Sequence, residues 1–397
     1  MHTFICRGGC VSRFSDVTNI WSTIKEIDVR DIRDQADLPC RIALLGHATF
    51  GRDLIMRLLT LGAQRFPART PQVSIIDLPL GREQAVDLNR VDLVLLTLDS
   101  SQALSYDEFL AYEKLAILPI PLLIAVWGTD LPKSSESTQQ ADLQASPAVL
   151  LDPQADPASQ RKALAKAVLE LLPESLHIAA ARRYPGLRSE VTNSLLSSVA
   201  LSNATFAFTS GLPEMIPVLN LPLNAADMLV LTKNQALLAY RVALAMGAEG
   251  DFSAMIRELL PVVGGGFLWR QLARQLVGLI PGIGLLPKVA VAYAGTFVTG
   301  IAAWRWYERG ELISKAELQS LVKTALEEGR QRAKALIGNR KSADSDGTPA
   351  TKPRLRQRLG SLLNPKNWFK AIRGRFKRKP KQVHQPAESN DQSNSAA

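Results

Sequence analysis

The residues with the clearest chemical spacing form a glycine-rich loop, Gly46-His-Ala-Thr-Phe-Gly51-Arg52-Asp53, directly after a short apolar run. Glycines at these two positions are typical of a loop whose backbone N–H groups surround phosphates at the start of a helix. In such loops a lysine and a hydroxyl residue follow the second glycine and reach the outer phosphates and Mg²⁺. Arg52 and Asp53 stand there instead, and Asp53 would place a negative charge beside the anion. The spacing indicates a phosphate-binding loop that has lost the side chains that contact the outer phosphates and Mg²⁺.

In a GTPase, two further motifs follow a loop of this kind, and two later segments of this chain occupy their places. The first, Val73-Ser-Ile-Ile-Asp77-Leu-Pro-Leu-Gly81, looks like the strand and DxxG motif, but its glycine comes one place late. The second, Trp127-Gly-Thr-Asp130, stands where NKxD would recognise guanine, and only its aspartate matches. If GTP or GDP with Mg²⁺ binds, we expect Asp77 to hold the metal and Asp130 the base, beside the glycine-rich loop. The alternative is that the loop glycines only make tight turns and that no cofactor binds.

The spacing between these motifs is also short for a GTPase. Asp77 follows Gly46 by 31 residues, and the loop and its helix use about half of them. The remainder must contain both a switch loop and an extra strand in a GTPase. We therefore expect no position for the threonine that would bind Mg²⁺.

No other set of residues predicts a reaction or a metal site. The three cysteines (Cys6, Cys10 and Cys40) have no CxxC spacing, and the four histidines are scattered along the chain. We expect a protein that is not an enzyme. The polar pair Lys233 and Asn234 lies among apolar residues and either bridges helices or contacts a ligand. The first residues contain no apolar run of signal-peptide length, which predicts an intracellular protein.

The elements that must position the loop follow from hydrophobic periodicity. Short apolar runs alternate with amphipathic stretches up to about residue 172, which predicts a parallel sheet covered by helices on both faces. We expect a lead-in helix in 1–40, a P-loop-like α/β domain over 41–173, an all-α apolar domain over 174–338 and a basic, largely disordered tail over 339–397. The apolar runs are Arg41–Leu45, Val73–Ile76, Val91–Leu98, Leu122–Val126 and Val149–Leu151.

The apolar helical segments raise the question of a membrane. Val289–Trp304 is uncharged and would be about 24 Å long as a helix, against about 30 Å of hydrocarbon. Lys288 could extend to one interface, and Trp304 and Trp306 could mark the other. Val191–Leu212 is long enough but rich in Ser, Thr and Asn. A spanning domain, an interfacial domain and a soluble helical domain whose core is these segments all remain open.

The tail carries most of the positive charge. The whole chain has a net charge of +10, and residues 330–381 contain 17 Lys and Arg against two acidic residues. The combination of these charges with Trp368 and Phe369 favours binding to an anionic lipid leaflet, with the aromatic rings at the headgroup boundary. A solvated tail without a specific partner is the second interpretation. Nucleic acid would attract the same charges and is the least favoured partner.

The helical segments resemble a bacterial family known as "domain of unknown function 697" over about residues 175–335. The resemblance implies an Era-like GTPase domain upstream and an inner-membrane location, but no established reaction. The lead-in Trp21–Arg30 is similar to what precedes the GTPase domain in such fusions. The shared elements are Thr232-Lys-Asn-Gln235, Pro261-Val-Val-Gly264, Ile280-Pro-Gly-Ile-Gly284, Gly295-Thr296 and Tyr307-Glu-Arg-Gly310.

The sequence therefore predicts a non-catalytic scaffold or regulator on the cytoplasmic side of the inner membrane, integral or peripheral. Its α/β domain would contact a protein partner, and its helices and tail would contact lipid. The alternative is an atypical GTP-binding switch or slow GTPase in which Arg52 replaces the phosphate-binding lysine.

Overall fold

The computed structural model describes residues 27–47, 50–62, 65–81, 88–133, 143–211, 225–262 and 285–345. The chain divides into two compact units, Met1–Ile337 and Gly338–Ala397. Every element below belongs to the first unit, except that the last helix continues to Ser345. The predicted basic tail beyond that residue, with Trp368 and Phe369, lies outside the described residues.

Five parallel strands form one sheet in the order β2–β1–β3–β4–β5. Each strand coincides with one of the five apolar runs, so the predicted parallel sheet is confirmed. The bounds are β1 Arg41–Gly46, β2 Gln72–Asp77, β3 Leu93–Asp99, β4 Leu122–Trp127 and β5 Ala148–Leu151.

Helices precede the sheet and alternate with its strands. Their bounds are α1 Arg30–Asp37, α2 Phe50–Thr60, α3 Tyr106–Ala116 and α4 Pro157–Leu171. The start of α3 is fixed by a capping box, in which Ser105 Oγ accepts from the Glu108 amide and the Glu108 carboxylate accepts from the Ser105 amide. Asp156 caps α4 in the same position, directly before a proline.

Both faces of the central strands β1, β3 and β4 are buried. Ile42 and Leu44 of β1 belong to one hydrophobic cluster, whereas Ala43 and Leu45 belong to another on the opposite face. This alternation follows from the two-residue period of a strand. Because both faces are covered, the strands read as continuous apolar runs rather than as alternating ones.

The segment between α2 and β2 agrees with the short spacing seen in the sequence. β2 lies directly beside β1, with Gly46 opposite Asp77 in a parallel register. Within residues 61–62 and 65–71, which are the described part of this segment, no strand forms. The extra strand of a GTPase therefore does not stand between α2 and β2 in the described chain.

The rest of the described chain is helical, as predicted. Short 3₁₀ turns occur at Leu88–Arg90, Leu143–Ala145 and Pro185–Leu187. The helices are α5 Glu174–Arg183, α6 Arg188–Gly211, α7 Ala225–Ala245, α8 Phe252–Val262, α9 Leu285–Arg309 and α10 Lys315–Ser345. Gly247, two residues after the end of α7, has a φ of +90°, as expected for a glycine that ends a helix.

Helix α9, which contains the candidate membrane segment, is surrounded by protein. It packs against α6, α7 and α8, and its Ala290 and Ala294 are fully buried against α10. A Cβ on Gly329 of α10 would lie 2.7 Å from the Ala290 carbonyl oxygen, so the two helices approach closely. Burial on all sides accounts for the apolar composition of α9. In the part of the chain that the structure describes, no helix combines the length and the apolar character needed to cross a membrane.

Three helices share a buried polar bridge. The Asn234 side-chain amide of α7 donates to Asn203 Oδ1 of α6 at 2.6 Å. The Asn203 amide in turn donates to Thr296 Oγ1 of α9 at 2.7 Å, and that hydroxyl donates to the Ala292 carbonyl oxygen. Asn234 therefore bridges helices, which was one of the two roles predicted for the Lys233–Asn234 pair. A bridge of this kind fixes the relative position of the three helices, because any slip would leave a buried polar group without a partner.

The turn between α5 and α6 is pressed against α2 and the start of the sheet. A Cβ on Gly186 would lie 1.9 Å from the Leu58 carbonyl oxygen, and a Cβ on Gly62 would lie 2.6 Å from the Pro185 carbonyl oxygen. The buried Tyr184 hydroxyl lies 3.0 Å from the carbonyl oxygens of both Cys40 and Gln72, which share its one proton. The contacts of Tyr184, Pro185 and Gly186 with α2, Gly62, Cys40 and Gln72 are together called the seam below.

An ion cluster continues the seam toward α1. Arg182 is almost fully buried, and it donates to Asp37 Oδ1 at 2.8 Å and to Glu249 Oε1 at 3.2 Å. Arg69 lies 2.9 Å from the same Asp37 carboxylate, and its backbone amide donates to the Arg182 carbonyl oxygen. Burial lowers the pKa of Arg182, with the nearby Arg69 charge as the next cause. Helix α1, which lies in the predicted lead-in segment, is thus tied to α5.

Candidate functional site

The predicted nucleotide residues lie along the carboxyl edge of the sheet, which is where ligands bind in open α/β sheets. Gly46 ends β1 and Asp77 ends β2, side by side. Gly51, Arg52 and Asp53 lie in the first turn of α2. Asp130 follows β4, so β1 and β3 separate it from Asp77, a distance of about three strand spacings or 14 Å.

Gly46 is a packing glycine. The hydroxyl of Thr97, on β3, donates to the Leu45 carbonyl oxygen at 2.9 Å. A Cβ on Gly46 would lie only 1.9 Å from that hydroxyl oxygen. The sequence reasoning missed Thr97. The signal for it was a hydroxyl side chain inside the otherwise apolar run at 91–98.

Gly51 differs from Gly46. A Cβ at this position would meet one neighbour, the Thr97 Cβ, at 3.8 Å, which is ordinary van der Waals contact. The backbone conformation there also lies outside the left-handed region that favours glycine. Packing in this structure therefore does not require a glycine at 51, although glycine weakens the first turn of a helix relative to alanine.

The cation of the loop is paired within the protein. The Arg52 guanidinium forms an ion pair with the Asp77 carboxylate. The Arg52 side chain is only 12% exposed, whereas that of Asp77 is 69% exposed. Arg52 is therefore held against the end of β2, and Asp77, the predicted metal ligand, is its partner.

The edge as a whole is acidic. Aspartates lie at or directly after the ends of β2 to β5 and in the first turn of α2, and most of them are exposed: Asp53, Asp77, Asp99, Asp130 and Asp152. Some of them bind local groups. Asp99 accepts from the Ser101 amide at 2.8 Å, and Asp130 accepts from the Thr129 hydroxyl at 3.2 Å. These carboxylates repel a polyphosphate that approaches the edge, so they oppose its binding.

A further contact at this edge was not predicted from the sequence. His47 Nε2 lies 3.4 Å from Ser105 Oγ, the N-cap of α3. The same serine oxygen accepts from the Glu108 amide, so it acts as a helix cap. The contact ties the glycine-rich loop to α3. Among the described residues, no group of three or more His, Cys, Asp or Glu is placed to hold a metal ion.

Two of the residues predicted to contact lipid, Trp304 and Trp306, make contacts inside the first unit. The Trp306 indole N–H donates to Glu258 Oε1 at 2.8 Å, and the Arg65 guanidinium lies 4.6 Å from the Trp306 ring centre. Trp304 packs against the larger hydrophobic cluster. Lys288 is part-buried in the first turn of α9. Their role at a membrane interface stays a prediction.

A scan against protein-family models finds no match for this chain, and a search of the curated proteins finds none either. The resemblance described from the sequence therefore stays a prediction, and the function must be argued from the geometry of the described residues.

Proposed function

We propose that this protein is a non-catalytic, membrane-associated scaffold or regulator whose α/β part is an interaction module with the architecture of a degenerate GTPase-like, P-loop-like domain. The observation that supports this best is the Arg52–Asp77 ion pair. It joins the residue that would bind phosphate to the residue that would bind the metal. A nucleotide would have to break this pair and then bind against the remaining aspartates.

The proposed membrane contact is the basic tail. Its 17 Lys and Arg over 330–381 supply attraction to an anionic leaflet, at about 1 kcal/mol for each residue near the surface. The helices of the first unit use their apolar faces on each other, as α9 shows. We therefore propose a peripheral rather than a spanning attachment, at the cytoplasmic face of the inner membrane.

Vesicle flotation tests this attachment. The full chain is mixed with vesicles of phosphatidylglycerol and phosphatidylcholine, or of phosphatidylcholine alone, and floated at low and high salt. We expect flotation with the anionic vesicles only, and release by about 1 M salt, at which screening shortens the Debye length to about 3 Å. A matched variant changes Lys and Arg between 354 and 379 to Gln and should remain at the bottom. Flotation that resists salt, or that survives in this variant, would contradict a peripheral attachment through the tail.

A second candidate is the atypical nucleotide switch, and Gly51 is the observation that favours it. Packing does not require a glycine at this position, and a ligand that approaches the backbone closely would explain why one is present. In this candidate a nucleotide displaces Asp77 and takes Arg52 as its phosphate ligand.

The two candidates are separated by titrating nucleotide into the wild-type chain and into the Asp77→Asn variant. This variant frees Arg52 while residue 77 keeps the shape of its side chain. Titration calorimetry with GTP, GDP and ATP at millimolar Mg²⁺ should show no binding to the wild-type chain. In the scaffold proposal Asp77→Asn also shows none, since the other aspartates remain. Saturable nucleotide binding by the wild-type chain would replace the scaffold proposal with the switch.

A further inference from the structure

Strand β2 is an outer strand of the sheet and is long and apolar for that position. It has six residues, whereas the other outer strand, β5, has four. Ile75 in its middle is 55% exposed, and its neighbour Ser74 is exposed as well. No strand pairs with the outer side of β2 in the described residues.

The usual protections of an outer strand are missing from the first five residues of β2, and its one charged residue is the last, Asp77. Proteins protect such edges with short strands, charged side chains, prolines or bulges. From Gln72 to Ile76 the strand contains no charged residue, no proline and no glycine, and prolines occur only outside it, at Pro71 and Pro79. An edge of this kind is a template for pairing with another strand.

The direction of the backbone groups identifies which residues would make that pairing. The Arg41 carbonyl oxygen accepts from the Asp92 amide, on the β3 side of β1, so the neighbouring Ile42 faces β2. Since successive residues of a strand point to alternate sides, the parallel register then turns Gln72, Ser74 and Ile76 toward β1. The amide groups of Val73 and Ile75 therefore face outward.

We propose that β2 pairs with β2 of a second copy of this chain, antiparallel and centred on Ser74. In this register Val73 lies opposite Ile75 of the second copy, and Ile75 lies opposite Val73. Both are outward-facing, so they form the hydrogen-bonded pairs of the ladder, while the two Ser74 residues form the closer pair between them. Two sheets of five strands then become one of ten.

The strand itself argues for a second copy as the occupant. A two-fold pair of antiparallel strands must be centred on one residue, because opposite residues share a face of the sheet. With the pair centred on Ser74, the β-branched Val73 and Ile75 lie opposite each other on one face of the sheet, and the two Ser74 hydroxyls meet on the other face. Centring on Ile75 would instead place Val73 opposite Asp77, whose carboxylate is paired with Arg52. The pattern of β2 is thus complementary to itself in one register.

This inference rests on the proposed interaction module and names its partner, but its test is independent of nucleotide and lipid. Sedimentation velocity of the full chain between about 1 and 100 μM should show a concentration-dependent dimer. Ile75→Lys should weaken the dimer at least tenfold, because it places two like charges in the apolar pairs. Ile117→Lys is the matched control, since Ile117 is 83% exposed after α3 and far from β2 in the sheet order. That control should leave the dimer unchanged.

Cross-linking tests the register. In a Cys6→Ser, Cys10→Ser background, Ser74→Cys should form a disulfide-linked dimer on mild oxidation. The Cα atoms of a non-hydrogen-bonded pair are about 4.5 Å apart, which is within the range of a disulfide. Ile75→Cys in the same background should not, because its opposite residue is Val73. Cys40 is buried and serves as an internal reference for accessibility.

Three results would overturn the inference: a monomer at every concentration, a dimer that Ile75→Lys leaves intact, or cross-linking through Ile75→Cys rather than Ser74→Cys. Capture of an extended peptide by a chain that stays monomeric would do the same, since it would assign another occupant to the edge. Nucleotide binding by a chain that also dimerises through β2 would refute the proposed function alone.

Discussion

The glycine-rich loop and the seam each contain two glycines, but the structure constrains them very differently. In the seam, added Cβ atoms on Gly62 and Gly186 would meet backbone oxygens at 2.6 and 1.9 Å. In the loop, Gly46 faces a side chain, Thr97, and Gly51 has room for a Cβ. Tight packing is found where the sheet meets the helices, and not at the edge where nucleotide chemistry would occur.

This difference fits a protein whose α/β and helical parts act as one body. The larger hydrophobic cluster includes side chains of β1, of α4 and of the helices α5 to α9. The glycine-rich loop, by contrast, ends at an ion pair with an exposed partner. We infer that the stability of the fold depends more on the seam than on the glycine-rich loop.

Gly186→Ala should have the largest effect on the free energy of unfolding. The new Cβ would lie 1.9 Å from the Leu58 carbonyl oxygen, and backbone atoms cannot move aside as a flexible side chain can. We expect a loss of about 3 kcal/mol in urea unfolding. A loss below about 1 kcal/mol would show that the seam adjusts easily and would remove the contrast with the loop.

Tyr184→Phe should have the next largest effect. It removes the buried hydroxyl whose one proton is shared between the carbonyl oxygens of Cys40 and Gln72. The expected loss is about 1–2 kcal/mol. Tyr112→Phe is a control of the same chemistry, because the Tyr112 hydroxyl contacts the Ser146 hydroxyl away from the seam. Equal losses in both variants would mean that the Tyr184 hydroxyl contributes no more to the free energy of unfolding than the Tyr112 hydroxyl.

The pH dependence of stability should report on the seam through Cys40. Burial, assisted by the nearby Asp92 charge, raises the pKa of the Cys40 thiol from 9.0 to about 12. Above pH 9 the unfolded chain releases this proton while the folded chain keeps it. The free energy of unfolding therefore falls by up to about 1.4 kcal/mol per pH unit until the folded pKa is reached. Urea unfolding between pH 8 and 10.5 should show a steeper fall for the wild-type chain than for Cys40→Ala. Parallel slopes would indicate that the thiol titrates normally in the folded chain.

Gly51→Ala should have the smallest effect, and with the opposite sign. Alanine fits the space and favours the helix, so the expected gain is about 0.5–1 kcal/mol. Gly46→Ala is the contrasting variant and should be destabilising, because its Cβ meets the Thr97 hydroxyl oxygen. If Gly51→Ala proves destabilising in the absence of any ligand, the loop is more constrained than the comparison states.

The sheet was predictable from the sequence, because buried parallel strands leave continuous apolar runs that need no tertiary information. The seam was not predictable. Tyr184 and Gly186 take their importance from Gln72 and Leu58, which are more than 100 residues away in the chain. Hydropathy also could not separate a helix buried by lipid from one buried by protein, and α9 is surrounded by its neighbours. At the candidate site, the motif spacing singled out Arg52 and Asp77, but their ion pair depends on the position of β2 beside β1, which the spacing does not give.

Hydrogen exchange of the full chain tests the central claim most directly, because it follows the loop and the seam together. Peptides that cover the loop, Gly46 to Asp53, and the seam residues Tyr184 to Gly186 are compared without nucleotide and with millimolar GTP, GDP or ATP and Mg²⁺. We predict slow exchange in the seam, faster exchange in the loop, and no change in either when nucleotide is added. Nucleotide-dependent protection of the loop would contradict the account and identify the protein as a nucleotide switch.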